Sequence, residues 1–299
     1  MRMPMTPFQR WRAYTGHLRF KYAPRLANWI VARSTDRARA KLAQFSRIKV
    51  LVDNTVLYHA VTHETAWFST GPKIWGPHEI DTGYSARIPV HAANSESREY
   101  RDVRYLAGIA HLCRSGCLDL YTSAELEDEK LRQPSGRYRG YGYFDHSLFS
   151  GLEIKSIDGF VFPEMGPTFL NLPSAGDQQR KRLEANKHDP RYSALVQRLG
   201  SSNSQDAWHI YTAEKHDMFC FLTMDFKLIK TVAAQSRSAP LKSFKTFVLT
   251  PEDFGKRFGM LPVPPHILSY NDASFHVRSD IPMPIGKRRP LKGYKRDKP

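Results

Sequence analysis

Cysteine is scarce in this sequence of 299 residues. The only three cysteines are Cys113, Cys117 and Cys220. Their number is odd and no two form a Cys-x-x-Cys pair, which argues against a disulfide framework and against a structural zinc site. We therefore expect ordinary buried thiols.

Long apolar runs are also absent. No run approaches the roughly 18 residues of a membrane-spanning helix, and the N-terminus lacks the apolar core of a secretory signal. Hydrophobic residues still make up 41% of the chain, which is enough for a large buried core. These features predict a globular cytoplasmic protein without a membrane partner. The Arg-rich start also resembles a mitochondrial transit peptide, so mitochondrial import stays open.

Acidic residues are nearly missing from the two ends of the chain. Residues 1–49 carry 12 Lys or Arg against one acid, and residues 279–299 carry seven against two. The 26 basic and 26 acidic residues between them cancel, so the net charge of +16 lies entirely in the ends. A neutral body with two basic arms suits a polyanionic partner, and we expect a nucleic acid ahead of an anionic membrane surface.

The order of elements predicts an α/β fold. Short β-branched or apolar runs begin near Ile48, Leu118, Met218 and Thr246, and each is followed by a helical pattern. A further strand is expected at 160–162 or 169–170. Alternating strands and helices predict a three-layer α/β/α sandwich with a central parallel sheet, long inserted loops and basic terminal extensions. We divide the chain into a partly helical extension (1–47), a domain (48–260) with inserted loops near 63–97 and 133–176, and a Pro-rich, then basic tail (261–299).

Carboxylates follow two of the predicted strands. Asp53 ends the first strand and Asp225 lies just past the strand at 218–222, at the sheet edge where α/β proteins place their sites. Asp206 and Glu129 lie near the starts of helices that face the same edge. Four carboxylates without Lys or Arg partners would repel one another unless a hard divalent cation is bound, and Mg²⁺ or Mn²⁺ fits best. With a phosphate ester as substrate, this predicts a nuclease.

The same segments resemble the PIN-domain nucleases. The resemblance spans about residues 48–258, with long interruptions. It lies in Val50-Leu51-Val52-Asp53-Asn54, Tyr121-Thr122-Ser123 with Glu129 beyond, Asp206-Ala207-x-His209-x-x-Thr212-Ala213, Phe221-Leu222-Thr223-Met224-Asp225 and Val248-Leu249-Thr250-Pro251-Glu252-Asp253-Phe254.

The resemblance implies a metal-dependent endoribonuclease that leaves 5′-phosphate and 3′-hydroxyl ends. By position, the catalytic and metal-binding acids would be Asp53, Glu129, Asp206 and Asp225, with Thr223 and Asn54 as supporting residues. Glu125 or Glu127 stays open as a replacement for Glu129, because the start of that helix is not fixed by the sequence.

All of the candidate acids except Asp225 also have a plainer interpretation. Asp53 and Asp206 could simply cap helices, and the acids at 125–129 could be a solvated helix start. A phosphatase-like nucleophile at Asp53 would need a second Asp where Thr55 stands. His59 and His63 have metal-ligand spacing, but we exclude them from the site, together with His209 and His216, because lone histidines are more often structural.

RNA contacts are predicted at two further places. The Arg and Tyr alternation of the 137–143 loop could hold phosphates and stack on bases, and the tail carries a basic run. The residues are Arg137, Tyr138, Arg139, Tyr141, Lys287, Arg288 and Arg289. A surface loop without function is the plain alternative for the first group.

Two other functions stay open. The chain could be a degenerate domain that binds RNA or a protein without cutting, or it could cut DNA structures. A protein partner such as an antitoxin is compatible with the endoribonuclease and with the domain that does not cut. The sequence does not define the oligomeric state.

Overall fold

The computed structural model describes residues 7–91, 95–132, 147–160, 175–186, 188–268 and 274–276. Its strands are β1 (Ile48–Val52), β2 (His63–Trp75), β3 (His78–Pro89), β4 (Leu118–Thr122), β5 (Ile154–Ser156), β6 (Cys220–Leu222), β7 (Phe247–Leu249) and β8 (Ser274–His276). Its helices are α1 (Pro7–Ser34), α2 (Asp36–Leu42), α3 (Asn54–His59), α4 (Arg98–Arg114), α5 (Ala124–Arg132), α6 (Ala175–Asn186), α7 (Pro190–Leu199), α8 (Ser204–Lys215), α9 (Phe226–Gln235) and α10 (Pro251–Phe258).

Five strands form a parallel sheet in the order β5-β4-β1-β6-β7, flanked by helices. The predicted three-layer α/β/α sandwich is confirmed. Side chains of β1 alternate between two cores: Val50 and Val52 pack with α4 and α10, whereas Leu51 packs with α7 and α8. Because all five strands are parallel, their C-terminal ends meet at one edge.

Helix α10 approaches α4 closely. Gly255 has no side chain where Tyr105 packs, and a Cβ at this position would come within 2.1 Å of the Tyr105 ring. Phe254 and Phe258 fill the adjacent core with Phe219. The expected last strand and helix are therefore present, at β7 and α10.

The predicted inserted loop at 63–97 is wrong for most of its length. Strands β2 and β3 instead form a long antiparallel hairpin, to which β8 adds a third strand. The glycines and prolines that favoured a loop lie where a hairpin accommodates them. Gly76, with φ of 61°, lies in the turn, and Gly71, with φ of 93°, lies where the register shifts.

One local prediction is corrected. The third strand is Ile154–Ser156, and Phe160 lies outside any strand, while residues 161–174 are outside the described part. His59 ends α3 and His63 begins β2, so these two histidines, which we excluded from the site, do not share a helix face.

The N-terminal helix packs against the body of the domain. Val31 contacts Ala107 of α4 and Val263, and Ala27 is also buried. None of the helices in the described residues is long and apolar enough to cross a membrane.

Candidate active site

The predicted acids lie at or near the edge at which the parallel strands end. Residue Val52 of β1 pairs with Leu222 of β6, so Asp53 and Thr223 lie side by side where the two strands end. The Asp53 amide donates to Leu222 O at 2.9 Å. Helices α5 and α8 contribute Glu129 and Asp206 to the same region, since the charge of Glu129 acts on Asp53 and the charges of Asp53 and Glu129 act on Asp206.

Asp53 is a buried carboxylate held by two hydroxyls. Asp53 as a whole is only 9% exposed to solvent. It occupies the N-cap position of α3 but makes no capping hydrogen bond, so helix capping does not account for it. Instead, Oδ2 accepts from Thr55 Oγ1 and from Thr223 Oγ1, each at 2.5 Å. Burial raises the pKa of Asp53, which the two hydroxyls and His209 oppose.

The same hydroxyls connect Asp53 to the segment that carries Asp225. Thr223 Oγ1 accepts from the Asp225 amide at 3.0 Å, and Thr55 Oγ1 accepts from the Met224 amide at 3.0 Å. Asp225 Oδ1 then caps α9 by accepting from the amides of Lys227 and Leu228. One oxygen of Asp225 therefore has a structural role, whereas the other makes no hydrogen bond within the described residues.

Glu129 is the acid of α5 that belongs to the site. It accepts from Asn54 Nδ2 at 3.3 Å, from His209 Nε2 at 3.1 Å and from Gln205 Nε2. Burial alone would raise the pKa of Glu129, but the hydrogen bonds from His209, Asn54 and Gln205 outweigh it and lower the pKa. Asn54 also donates to Leu126 O at 2.7 Å, which fixes α5 to the start of α3.

Glu125 is explained by a structural contact instead. It is fully buried, and Oε1 pairs with Arg182 Nε of α6 at 2.6 Å. Glu129, and neither Glu125 nor Glu127, is among the main charges that shift the pKa of both Asp53 and Asp206. The geometry thus favours Glu129 among the three acids that the sequence left open.

Asp206 has the least support of the four acids. It lies in the first turn of α8, and within the described part of the chain no donor hydrogen-bonds to its carboxylate. Burial raises the pKa of Asp206, and the negative charges of Asp225, Asp53 and Glu129 raise it further, while His209 opposes them.

His209 is the residue of the site that sequence reasoning missed. It is almost fully buried one turn after Asp206, and its Nε2 contacts Glu129. Burial lowers the pKa of His209, but Glu129 and Asp53 outweigh burial and raise it. No described Lys or Arg forms an ion pair with any of the four acids, whereas His209 contacts one of them. The Asp-x-x-His spacing on one helix face was the available signal.

The donor set suits a hard divalent cation, because it consists of carboxylate oxygens that repel one another. Within the described residues, however, no three His, Cys, Asp or Glu side chains lie close enough to hold one ion. Hydrogen bonds hold Asp53, Asp225 and Glu129 in place, whereas the Asp206 carboxylate accepts none within the described residues. The carboxylate oxygens suit the ion in chemistry, but their spacing in this structure does not form a coordination site.

The remaining predicted residues are placed as follows. Thr223 donates a hydrogen bond to Asp53, and Asn54 donates one to Glu129. Arg137, Tyr138, Arg139, Tyr141, Lys287, Arg288 and Arg289 lie outside the described residues.

Comparisons with known proteins do not place the chain in a family. No protein-family model, no curated protein and no solved structure matches it.

Proposed function

We propose that this chain is a PIN-like, metal-dependent endoribonuclease that hydrolyses RNA to 5′-phosphate and 3′-hydroxyl ends. The observation that carries the proposal is that Asp53, Glu129, Asp206 and Asp225 lie near the C-terminal edge of a parallel sheet, where the charges of the other three acids act on Asp206. None of the four has a Lys or Arg partner among the described residues. Structural ion pairs do not have this composition, because their charges are balanced.

The side chains of such a site have two roles, metal binding and the positioning of the metal ligands. Asp53, Glu129, Asp206 and Asp225 would hold Mg²⁺ or Mn²⁺, which supplies Lewis-acid chemistry to phosphodiester hydrolysis when bound. Thr55 and Thr223 fix Asp53 through one oxygen. Asn54 and His209 hold Glu129 in the site. Fixed ligands of this kind reduce the reorganisation that a reaction requires.

A test replaces one carboxylate at a time with its isosteric amide. We expect Asp53→Asn and Asp225→Asn each to reduce cleavage of labelled single-stranded RNA in Mn²⁺ by at least about 100-fold, beyond the 10- to 100-fold loss typical of supporting residues. The matched control is Asp217→Asn, which makes the same charge change at the opposite sheet edge. Asp217 is exposed and has φ of 52°, which Asn adopts readily.

Product chemistry provides a second readout of the same proposal. Cleavage should stop in excess chelator, and Ca²⁺ should bind without supporting turnover because its coordination is larger and looser. Full activity of either site variant at limiting Mn²⁺, or 2′,3′-cyclic phosphate ends formed in chelator, would contradict the proposal.

A non-cutting module that binds RNA or a protein is the second candidate. The observation in its favour is that hydrogen bonds occupy Glu129 and one oxygen each of Asp53 and Asp225. Calorimetric titration of Mn²⁺ separates the two functions, because a non-cutting module would bind no ion that Asp225→Asn removes. Labelled DNA flaps in the cleavage assay test the DNA-cutting alternative.

A further inference from the structure

An exposed arginine lies at the rim of the carboxylate site. Arg98 is the first residue of α4, and its guanidinium carbon lies 4.2 Å from the centroid of the Phe226 ring. Phe226 directly follows Asp225 and is half-buried against the core that contains Met224. The stacked pair therefore joins the starts of α4 and α9 beside one of the four acids.

Three more exposed cations flank this pair. Arg101 lies one turn further along α4, and Lys227 and Lys230 lie in the first two turns of α9. We call Arg98, Arg101, Lys227 and Lys230 the rim cluster. Within the described residues none of the four forms an ion pair, whereas Arg47, Lys155, Arg182 and Lys256 all do so elsewhere.

The acid beside Arg98 in the sequence forms no ion pair with it among the described residues. Glu99 is hydrogen-bonded to its own backbone amide and to Ser97 at the start of α4; the first of these bonds is the main cause of its lowered pKa, and Arg98 has a smaller effect. A cationic rim without ion pairs thus adjoins a group of acids, an arrangement that a phosphate chain crossing a metal site would complement.

Stacking gives Arg98 a property that the lysines lack. A guanidinium lying on a ring keeps its N–H edges available, and its planar fork matches two phosphate oxygens. The ring also restricts the side chain before the ligand arrives, so less conformational entropy is lost on binding. Arg98 is consequently the member of the rim cluster best suited to hold one phosphate at a fixed place.

We propose that Arg98, held on Phe226, binds a backbone phosphate of RNA next to the cleaved one, and that the rim cluster guides the strand toward Asp225. Arg98 is then a positioning residue for the substrate. The inference rests on the proposed function in taking RNA as the ligand, but its binding step requires no turnover.

The test measures binding and cleavage separately. A labelled single-stranded RNA is titrated in chelator against the full chain, Arg98→Gln and the matched control Arg237→Gln, an exposed arginine beyond the far end of α9. We expect Arg98→Gln to weaken binding about 10-fold, as for the loss of one charge-assisted contact, and to reduce the salt slope by about 0.7. Arg237→Gln should change neither.

Two further variants test whether binding depends on the planar guanidinium held on the Phe226 ring or only on its positive charge. Arg98→Lys keeps the charge and should retain the salt slope while losing part of the affinity. Phe226→Leu keeps an apolar side chain in the core and should weaken binding by removing the stacked ring. In Mn²⁺, Arg98→Gln should raise KM about 10-fold and leave kcat within about 2-fold, because the residue does not touch the reacting atoms.

The failures of the two proposals are distinguishable. If the wild-type chain cleaves RNA and Arg98→Gln equals Arg237→Gln in affinity, salt slope and KM, the inference is wrong and the proposed function stands. If Mn²⁺ supports no cleavage but Arg98→Gln weakens RNA binding, the proposed function is wrong and the contact stands.

Discussion

Asp206 stands out among the site residues because no described group offsets its charge by a hydrogen bond. Thr55 and Thr223 donate to Asp53, and Asn54 and His209 donate to Glu129. Burial and three neighbouring acids raise the pKa of Asp206, which means that its ionised form is disfavoured in the folded chain. Retaining such a group costs stability unless a cation is bound.

We predict that Asp206→Asn stabilises the metal-free protein by about 0.5–1 kcal/mol at pH 7, because it removes this repulsion. The raised pKa sets the sign of the pH dependence. The ionised carboxyl destabilises the fold increasingly as pH rises above 3.8, the ordinary value, so the benefit of Asn should disappear near pH 3, where both states are protonated. Thermal melts over this pH range measure the effect.

Mn²⁺ should reverse the order of the melting temperatures of the wild type and Asp206→Asn. The ion should raise the melting temperature of the wild type more than that of Asp206→Asn, because binding to the folded state adds stability. Asp217→Asn serves as the control with an equal change in charge. A variant that melts below the wild type in chelator at pH 7 would show that Asp206 has a stabilising partner.

Residue identity alone predicted the four acids but not their environments. Asp53 and Asp225 both follow a strand and precede a helix, yet only Asp225 caps the helix. His209 contacts Glu129, which lies 80 positions away in the chain, and Arg182 pairs with Glu125, which lies 57 positions away. Local spacing carries no information on such contacts, so the sequence favoured Glu129 but left Glu125 and Glu127 open as replacements.

At the scale of elements, the packing of α7 on α8 supports the site from behind. Tyr192 of α7 lies edge-on to Trp208 of α8, with ring centroids 5.5 Å apart. The same helix α8 carries Asp206 and His209. Asp189 caps α7 by accepting from the amides of Arg191 and Tyr192, and it also accepts from Tyr211 Oη of α8 at 2.6 Å.

We predict that Asp189→Ala costs about 1–2 kcal/mol of unfolding free energy at pH 7, the range of a lost N-cap. Asp189→Asn should cost less, because its amide oxygen can still accept from the backbone. The hydrogen bond from Tyr211 is the main cause that lowers the pKa of Asp189. The stability it contributes is therefore present above 3.8 and lost as pH falls through the lower folded value.

Urea unfolding at several pH values checks this prediction. The difference between wild type and Asp189→Ala should be full at pH 7 and should shrink below pH 4. A difference that stays constant down to pH 2 would mean that the charge of Asp189 contributes nothing to the cap.

Elements with a strong local pattern were predictable, and the hairpin was not. Helix α4 begins at a Ser97 cap and presents a periodic apolar face, and the parallel strands are short apolar runs. In β2 and β3, by contrast, glycine and proline occur inside or beside strands. Their effect depends on the partner strand, since a bulge at Gly71 and a turn at Gly76 make sense only once the two strands are paired.

At the scale of the whole molecule, the excess positive charge and the candidate site lie in different parts of the chain. The excess positive charge lies in residues 1–49 and 279–299, whereas the four acids lie in the balanced part. The first of these regions is tied to the body, because Ala27 and Val31 of α1 are buried. The opposite face of α1 exposes Tyr22, Leu26 and Trp29. Removing α1 would expose Ala107 to solvent. A loss of RNA affinity in that variant could then not be separated from a loss of folding.

Deletion of residues 279–299 is therefore the better test of the arms. It removes seven basic side chains and two acids, and it contains no proposed ligand of the metal or member of the rim cluster. If these side chains contact phosphates, each contact releases condensed counterions, and log K falls with log salt by ~0.7 per contact on a single strand. We expect the truncated chain to bind RNA more weakly and with a shallower salt slope.

Turnover at saturating RNA should stay close to that of the full chain, because the deletion leaves the four acids in place. A full-length variant with the seven Lys and Arg replaced by Gln is the matched control, since it removes the charge and keeps the length. It should behave like the truncation if charge is the cause. Unchanged affinity and salt slope in both proteins would show that the tail charges are only solvated, and the predicted RNA contacts would then be the rim cluster, residues 137–143 and α1.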